Sequence, residues 1–279
     1  MTGAAVVTGA ARGLGFEFAK LLAGRGFAVN LADVDEVGAQ AAAERIGGSA
    51  WGSSLNVTDP QACREAAQAA AEHAGGLAVW VNNAGILRTG PSWSHSDADR
   101  RALVDVNLHG LMNGTIAALE VMRPANSGHV INVVSLAGLA APPGETVYAA
   151  TKHAALAFTV GTLFDLRQSG CRGVRISAIC PDGIWTPMLY DKVDDPQAAP
   201  SWSGVLLQPE DVAHRAVKLL DNPRPVVSMP RWRGGVARAF SSAPRVAAAL
   251  VPAVMADARR RQQRWGRKHA GGGRGTARP

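Results

Sequence analysis

The segment AAVVTGAARGLG, from Ala4 to Gly15, decides the fold because it joins an apolar run to a glycine-rich turn. The apolar run Ala4–Gly9 predicts a buried strand, and the glycines that follow stand where a backbone turns tightly before a helix. A helix that starts at such a turn directs its free N–H groups and positive dipole end at a phosphate. The segment therefore predicts a phosphate-binding unit built from Gly9, Arg12, Gly13, Leu14 and Gly15.

Six further apolar segments follow the first one and alternate with helical patterns. Most are nearly continuous runs of Val, Ile and Leu, as a sheet covered on both faces requires. The predicted strands are Ala28–Val34, Ser49–Val57, Ala78–Gly85, His129–Leu136, Val174–Pro181 and Pro225–Pro230, and helical patterns include Glu36–Ile46, Pro60–His73 and Ala98–Met122. This order predicts an α/β fold of the Rossmann type, a doubly wound parallel sheet in one domain over residues 1–230.

Charge is distributed unevenly along the 279 residues. The net charge is +7, yet twelve of the 29 Lys and Arg residues and one of the 22 acidic residues lie in 231–279, which leaves −4 on residues 1–230. No apolar run of about 18 residues and no secretory signal pattern is visible, and the three cysteines form no C-x-x-C pair. We expect a cytoplasmic protein with reduced thiols, and the histidine spacing predicts no metal site.

Asp33 ends the second predicted strand, eighteen residues beyond Gly15. A carboxylate at this position accepts hydrogen bonds from a ribose 2′-hydroxyl and repels a 2′-phosphate, which predicts NAD in preference to NADP. Arg12 acts in the opposite direction, because a cation beside the adenosine would attract the extra phosphate. An ordinary helix N-cap is the alternative role for Asp33.

Tyr148 and Lys152 stand four residues apart in VYAATKHAAL, so a helix would place both side chains on one face. One interpretation is an ordinary surface pair. The other is a phenol whose loss of a proton is favoured by the neighbouring ammonium group, since a free phenol has a pKa of about 10. Such a phenol would act as a general base on an alcohol or a general acid on a carbonyl.

Five motifs in order resemble those of the short-chain dehydrogenase/reductase family, over Ala4–Pro230. They are TGAARGLG, NNAG at 82–85, VNLHG with Asn107, NVVSLAG with Ser135, and YAATK with Tyr148 and Lys152; Ser135 precedes Tyr148 by the thirteen residues expected in that family. The resemblance implies that Tyr148 transfers the proton, Ser135 binds the substrate oxygen, and Lys152 also holds the nicotinamide ribose. It implies that the Asn107 carbonyl binds a water at a local helix distortion.

The resemblance also implies a set of cofactor-binding residues. They are Gly9, Arg12, Gly13, Leu14, Gly15, Asp33, Asn56, Val57, Asn83, Ala84, Gly85, Tyr148, Lys152, Pro181, Ile184 and Thr186. Two positions depart from the family pattern. Asn56 stands where the family often has an Asp that holds the adenine amino group, and Asp182 replaces the Gly that usually follows Pro181.

Substrate selection is expected from the loop Asp182–Leu207, outside the carboxyl edge of the sheet. The candidates are Trp185, Met188, Leu189 and Tyr190, with Trp93 from another loop, and no Lys or Arg stands among them except Lys192 nearby. This composition predicts an uncharged apolar alcohol or ketone, such as a steroid, terpenoid, aromatic or fatty alcohol. The alternative is that these aromatic side chains pack the loop against the body or another subunit.

The basic tail 231–279 is predicted to be helical to about residue 268 and disordered in its last ten residues. It is interpreted as a solvated helix, as a surface for anionic lipid, or as a subunit contact; nucleic-acid binding is not indicated, because no aromatic platform accompanies the charge. The resemblance implies a homodimer or homotetramer. Two other functions remain open: a non-catalytic NAD-binding regulator, and an epimerase or dehydratase on the same fold.

Overall fold

The computed structural model describes residues 3–269. Its seven strands form one parallel sheet of order β3-β2-β1-β4-β5-β6-β7. The strands are β1 (Ala4–Thr8), β2 (Ala28–Asp33), β3 (Ala50–Ser54), β4 (Leu77–Asn82), β5 (Gly128–Val133), β6 (Val174–Pro181) and β7 (Val226–Met229). The Rossmann-type fold and all seven predicted strands are confirmed.

Ten α-helices accompany the sheet in the described residues. They are α1 (Gly13–Gly24), α2 (Glu36–Ile46), α3 (Pro60–Ala74), α4 (Asp97–Val104), α5 (Gly110–Met122), α6 (Thr146–Gln168), α7 (Pro187–Tyr190), α8 (Pro209–Val217), α9 (Arg231–Ser242) and α10 (Pro244–His269). The predicted helix Ala98–Met122 is divided, because a π-helical turn, Asp105–His109, separates α4 from α5. The helix distortion expected beside Asn107 is therefore present.

The central strand β1 explains why its sequence does not alternate between apolar and polar residues. Ala5 and Val7 pack into a core that includes α1 and α8, whereas Ala4 and Val6 pack into a second core that includes α3 and α5. All four side chains are fully buried. A strand covered on both faces needs apolar residues at every position, and this one has them.

The strand order reverses between β1 and β4, which are neighbours in the sheet although β2 and β3 lie between them in the chain. Ligands of doubly wound sheets bind at such a switch point, outside the carboxyl ends of the strands. The loops that leave β1, β2, β3, β4, β5 and β6 open on this edge and carry most of the predicted site residues.

The C-terminal region folds back onto the body. Helix α10 packs against the 3₁₀-helical segment Pro196–Trp202, and Ala258 and Gln262 of α10 are buried. None of the helices between residues 3 and 269 is long and apolar enough to cross a membrane. The predicted disorder of the last ten residues concerns positions outside the described part of the chain.

Candidate active site

The turn after β1 needs glycine for two different reasons. Gly9 and Gly13 have φ angles of 64° and 60°, a region that side chains other than glycine rarely adopt. Gly15 has an ordinary backbone, but a Cβ atom there would lie 2.2 Å from the carbonyl oxygen of Gly9. Gly15 therefore allows α1 to start directly against the turn.

The start of α1 fits an anionic ligand. Arg12 stands at the N-cap position and its side chain makes no capping hydrogen bond, so the first N–H groups of the helix are open to a phosphate. Beside this turn, the carboxylate of Asp33 accepts hydrogen bonds from the backbone N–H groups of Ala11 (3.0 Å) and Asp35 (3.1 Å). Each carboxylate oxygen retains a lone pair for a ribose hydroxyl. These groups fit a dinucleotide cofactor.

The NNAG motif connects the carboxyl ends of β1 and β4. The hydroxyl of Thr8 accepts hydrogen bonds from the N–H groups of Asn83 (3.0 Å) and Ala84 (3.1 Å). In return, the Asn83 side-chain amide donates to the carbonyl oxygens of Thr8 and Gly9, both at 3.0 Å. These bonds hold the glycine turn rigidly against the second loop of the site.

Asn56, the first departure from the family pattern, already uses its side-chain oxygen locally. Oδ1 accepts hydrogen bonds from the N–H of Thr58 (3.1 Å) and from its hydroxyl (2.8 Å). An amide oxygen has two lone pairs, so these two bonds fill it. Asn56 lines the cavity, but this conformation leaves its oxygen little capacity to accept a further hydrogen bond.

Ser135, Tyr148 and Lys152 line one cavity at the carboxyl edge of the sheet. The Nζ of Lys152 lies 5.6 Å from the centre of the Tyr148 ring and donates a hydrogen bond to the carbonyl oxygen of Val133 (3.1 Å). The hydroxyl of Ser135 accepts from the N–H of Ala137 (3.1 Å) and also interacts with the Tyr148 hydroxyl. The i, i+4 pair therefore faces the cavity and not open solvent.

Asn107 supports this cavity from behind and is 1% exposed. Its Oδ1 accepts from the N–H of Ile86 (2.8 Å), and its Nδ2 donates to the carbonyl oxygen of the same residue (2.9 Å). The amide thus pairs with the backbone just after the NNAG motif, much as a neighbouring strand would. Gly85 leaves room for this contact, because a Cβ there would lie 3.2 Å from the Asn107 Oδ1.

The pKa values of the central pair differ from the simple expectation that Lys152 favours the phenolate. Burial raises the pKa of Tyr148 above its usual value, the charge of Glu145 raises it further, and a hydrogen bond with Ser135 lowers it. Burial also lowers the pKa of Lys152 to about 8. In the protein alone, desolvation is thus the largest influence on both groups, and it opposes both charged forms.

Glu145 is a residue of the cavity that the sequence reasoning missed. Its carboxyl is buried, and burial raises its pKa to about 7, although a hydrogen bond from the Ser201 hydroxyl (2.6 Å) lowers it. The available signal was an acidic residue three positions before Tyr148 in an otherwise uncharged stretch, PPGETVY.

We expect Glu145→Gln to lower the pKa of Tyr148, because the variant removes a negative charge that opposes the phenolate. Because the ionised phenol is the base in alcohol oxidation, the acidic limb of the kcat/KM profile, where the rate rises with pH, should move to lower pH. The raised folded-state pKa of Glu145 means that the parent protein loses stability as the pH rises from about 4.5 through about 7, because the buried carboxyl must then ionise. The variant, which has no carboxyl there, should therefore be more stable than the parent at pH 8 but not at pH 4. An exposed control, Glu36→Gln, should leave both profiles unchanged; a Glu145→Gln profile identical to the parent would contradict this assignment.

Asp182, the second departure, organises the loop that follows β6. Its carboxylate pairs with the Arg233 guanidinium (2.9 Å) and accepts from the N–H groups of Gly183 (3.1 Å) and Val205 (3.2 Å). Among the described non-glycine residues only Asn126 has a positive φ, so Asp182 needs no glycine-like backbone. The aspartate thus joins the loop Asp182–Leu207 to α9.

The cavity has a volume of about 1170 Å³. Ordinary ligand pockets occupy about 300–1,000 Å³, so this cavity has room for a dinucleotide and a second molecule. Most of the predicted cofactor residues line it: Gly9, Arg12, Gly13, Leu14, Asp33, Asn56, Val57, Asn83, Ala84, Gly85, Tyr148, Lys152, Pro181, Ile184 and Thr186. Gly15 lies beneath the turn and Asn107 behind the wall.

The substrate candidates divide into two groups. Met188 and Leu189 line the cavity. Trp185 and Tyr190 lie outside the described lining and pack against each other, with ring centres 5.3 Å apart, while Trp93 is 86% exposed on the surface. The contacts of Trp185 therefore fit the alternative interpretation given above, in which the aromatic side chains pack the loop Asp182–Leu207 against the rest of the protein.

The expectation that cationic residues would be absent from the cavity, apart from Lys192 nearby, was wrong. Arg88 and Arg233 also line it, at positions that are far from the loop in sequence. Each is paired with a carboxylate: Arg88 with Asp99 (3.2 Å) and Arg233 with Asp182. Their charges are therefore largely balanced within the protein itself.

Comparison with known proteins agrees with this geometry. Residues 3–197 match the family model described as short chain dehydrogenase. The cyclopentanol dehydrogenase of Comamonas sp. (strain NCIMB 9872) is 34% identical over 225 residues, which cover 78% of this chain and 89% of that protein. The 3-alpha-(or 20-beta)-hydroxysteroid dehydrogenase of Mycobacterium tuberculosis is 36% identical over 185 residues, covering 66% and 70%.

Among solved structures, a short chain dehydrogenase/reductase from Burkholderia phymatum in complex with NAD superposes with a TM-score of 0.80 at 27% identity, covering 88% of this chain and 95% of that one. The fold and the site thus define a dinucleotide-binding α/β oxidoreductase. The chain belongs to the short-chain dehydrogenase/reductase family.

Proposed function

We propose that this protein is an NAD-dependent oxidoreductase that interconverts a secondary alcohol and a ketone. The observation that carries the proposal is the convergence of Ser135, Tyr148 and Lys152 in one cavity that also contains the glycine turn and Asp33. A cofactor held at the turn and a substrate held at Tyr148 would therefore meet within a single cavity.

Each residue has a distinct task in the proposed reaction. The bound nicotinamide would supply the hydride acceptor or donor, and the protein supplies orientation and proton transfer. Tyr148 takes the hydroxyl proton during oxidation, or returns one to the carbonyl oxygen during reduction, while Ser135 holds that oxygen by a hydrogen bond. Lys152 holds the nicotinamide ribose and balances the phenolate. Asn107 positions the backbone at Ile86 beside the site.

The proposed substrate is uncharged and apolar, in the class of steroid, terpenoid, aromatic or fatty alcohols. Several small or apolar residues line the cavity, namely Ala140, Pro142, Met188, Leu189, Val236, Ala237 and Phe240. The pairing of Arg88 and Arg233 with carboxylates balances their charges within the protein, and Lys192 is a further cation of the lining. The similarity to dehydrogenases of cyclopentanol and of hydroxysteroids is consistent with this class.

The test is to incubate the purified protein with NAD and a panel of secondary alcohols, and to record absorbance at the reduced-nicotinamide band. Reduction of NAD by apolar alcohols is expected, with little or none by small anionic hydroxy acids. NAD binding without turnover of any alcohol or ketone would instead support a regulatory role. Isomerised or dehydrated product without net cofactor reduction, seen by chromatography, would support an epimerase or dehydratase.

We also propose that the outer side of α9 and α10 contacts anionic lipid. Val246 and Leu250 stand four residues apart on α10 and are 60% and 46% exposed, among Arg residues on both helices. An exposed apolar stripe with basic flanks fits an anionic bilayer surface. The homodimer or homotetramer implied by the family stays a prediction.

Vesicle flotation with phosphatidylserine-containing liposomes tests the lipid contact. We expect the double variant Val246→Gln/Leu250→Gln to float several-fold less than the parent, because both side chains are exposed and their loss leaves the fold intact. The matched control is Val37→Gln, an exposed valine on α2. Equal flotation of all three proteins, or no flotation of the parent, would exclude the proposal.

A further inference from the structure

The cavity has an outer wall that comes from the C-terminal helix. Helix α10 contributes Pro244, Ala247, Ala248, Val251, Val254 and Met255 to the lining. These positions recur at intervals of three and four residues, so they lie along one face of the helix. They carry no side-chain hydrogen-bonding group apart from the weakly accepting Met sulfur. The family match ends at residue 197, so this wall lies beyond the matched region.

The same face of α10 continues into a docked half. Ala258 is fully buried and Gln262 is 4% exposed, and both continue the spacing of Val251 and Met255. The side-chain amide of Gln262 donates to the carbonyl oxygens of Asp195 (2.7 Å) and Lys192 (3.2 Å). One helix face therefore forms the wall of the cavity in its first half and is bonded to the substrate loop in its second half.

An aromatic contact reinforces this attachment. The ring of Trp265 packs on that of Trp185 with centres 4.4 Å apart, and such contacts contribute about 0.5–1.5 kcal/mol beyond buried area. Trp185 belongs to the loop that also carries Met188 and Leu189. The position of α10 and the shape of this loop are thereby coupled, and each determines how much room the other leaves for a substrate.

We propose that α10 forms the outer wall of the substrate chamber, that Val251 and Met255 determine which apolar substrates fit, and that Gln262 positions this wall. The proposal rests on the oxidoreductase function and deepens it. The substrate class is an uncharged alcohol or ketone whose apolar part extends from Tyr148 to α10. Small alcohols would react without touching the wall, whereas extended ones would be bound by it.

Large side chains introduced on the inner face of α10 test whether this helix limits the space for a substrate. We expect Val251→Trp and Met255→Trp to raise KM for an extended alcohol such as 2-decanol at least tenfold, with KM for cyclohexanol changed less than twofold. The matched control is Val246→Trp, which adds the same side chain on the exposed outer side of the same helix. Unchanged KM values for 2-decanol in both wall variants would overturn the proposal.

A binding measurement separates this proposal from the proposed function. N-phenyl-1-naphthylamine, an uncharged fluorescent probe, should bind the parent and Val246→Trp, but at least tenfold more weakly to Val251→Trp and Met255→Trp. NAD affinity should be the same in all four proteins. If the two tryptophan variants of the wall bind the probe more weakly but no alcohol is turned over, the oxidoreductase function is refuted and the role of α10 as a cavity wall is retained. Equal probe affinity in the four proteins would refute the proposal that α10 forms a wall of the substrate chamber.

The positioning role of Gln262 has its own readout. Gln262→Ala removes both donors to the loop, so hydrogen–deuterium exchange in 244–269 should become faster and KM for 2-decanol should rise about fivefold, with kcat for cyclohexanol unchanged. The neighbouring Gln263→Ala, at an exposed position, is the matched control. Identical exchange in the two variants would contradict the role of Gln262.

Discussion

Replacing Tyr148 with phenylalanine is expected to lower kcat for alcohol oxidation by about three orders of magnitude, within the range of 10²–10⁴ typical of general acid–base catalysis. The substitution removes one hydroxyl group and keeps the ring beside Lys152. The proposed mechanism assigns the substrate proton to Tyr148 alone among the described residues of the cavity, so the variant has no group to accept it. Because the ring and the glycine turn are unaffected, the NAD dissociation constant should stay within about twofold of the parent.

The control for this variant is the other tyrosine of the chain. Tyr190→Phe also removes one phenol hydroxyl, but Tyr190 packs on Trp185 outside the cavity lining. It should retain nearly full activity. Initial rates with saturating NAD and titrations of NAD binding should be measured for both variants. Retention of more than a tenth of the parent kcat by Tyr148→Phe would refute the assigned proton transfer.

Asp33→Asn is expected to lower the ratio of kcat/KM with NAD to that with NADP by about 100-fold. The carboxylate is fixed beside the turn by the N–H groups of Ala11 and Asp35, so it cannot turn away from a 2′-phosphate. Two unit charges 4 Å apart near a protein surface repel each other by about 4 kcal/mol before salt screening. Solvent and salt weaken this repulsion at a partly exposed site, so we expect a change of about 100-fold in the cofactor ratio. The variant keeps an oxygen acceptor but loses the charge, while Arg12 remains to attract the phosphate.

Asp35→Asn is the matched control, because it makes the same charge change two residues away. Asp35 caps α2 by accepting from the N–H of Gly38 (2.9 Å). We expect this variant to change the cofactor ratio less than threefold. The measurement is kcat/KM with NAD and with NADP for the parent and both variants. Equal ratios for the parent and Asp33→Asn would show that the NAD preference has another origin.

The strands and the turn were predictable because their causes are local. The strand β1 is apolar at consecutive positions since both of its sides are covered, and its sequence alone reveals that. Gly9 and Gly13 supply a backbone conformation that other residues rarely adopt. The pair formed by Tyr148 and Lys152 follows from the helical repeat. Each of these features is encoded within a window of a few residues.

The surroundings of that pair were less predictable. Desolvation depends on every segment that closes over a group, and for this reason the raised pKa of Glu145 could not be read from its neighbours in the chain. The pairing of Asp182 with Arg233 joins residues 51 positions apart. Trp185 looked like a substrate contact in the sequence, but it packs against Tyr190 and Trp265 instead.

The sequence by itself determined the parallel sheet, the dinucleotide turn, and the register of Ser135, Tyr148 and Lys152, because periodicity and backbone requirements act between near neighbours. Only the tertiary structure decided that α10 returns from the C-terminus to line the cavity and bond to Lys192 and Asp195. A basic helix with one apolar face is compatible with solvent, lipid or a partner. The physical reason for its placement lies in surfaces formed by distant parts of the chain, which come together only when the whole protein is packed.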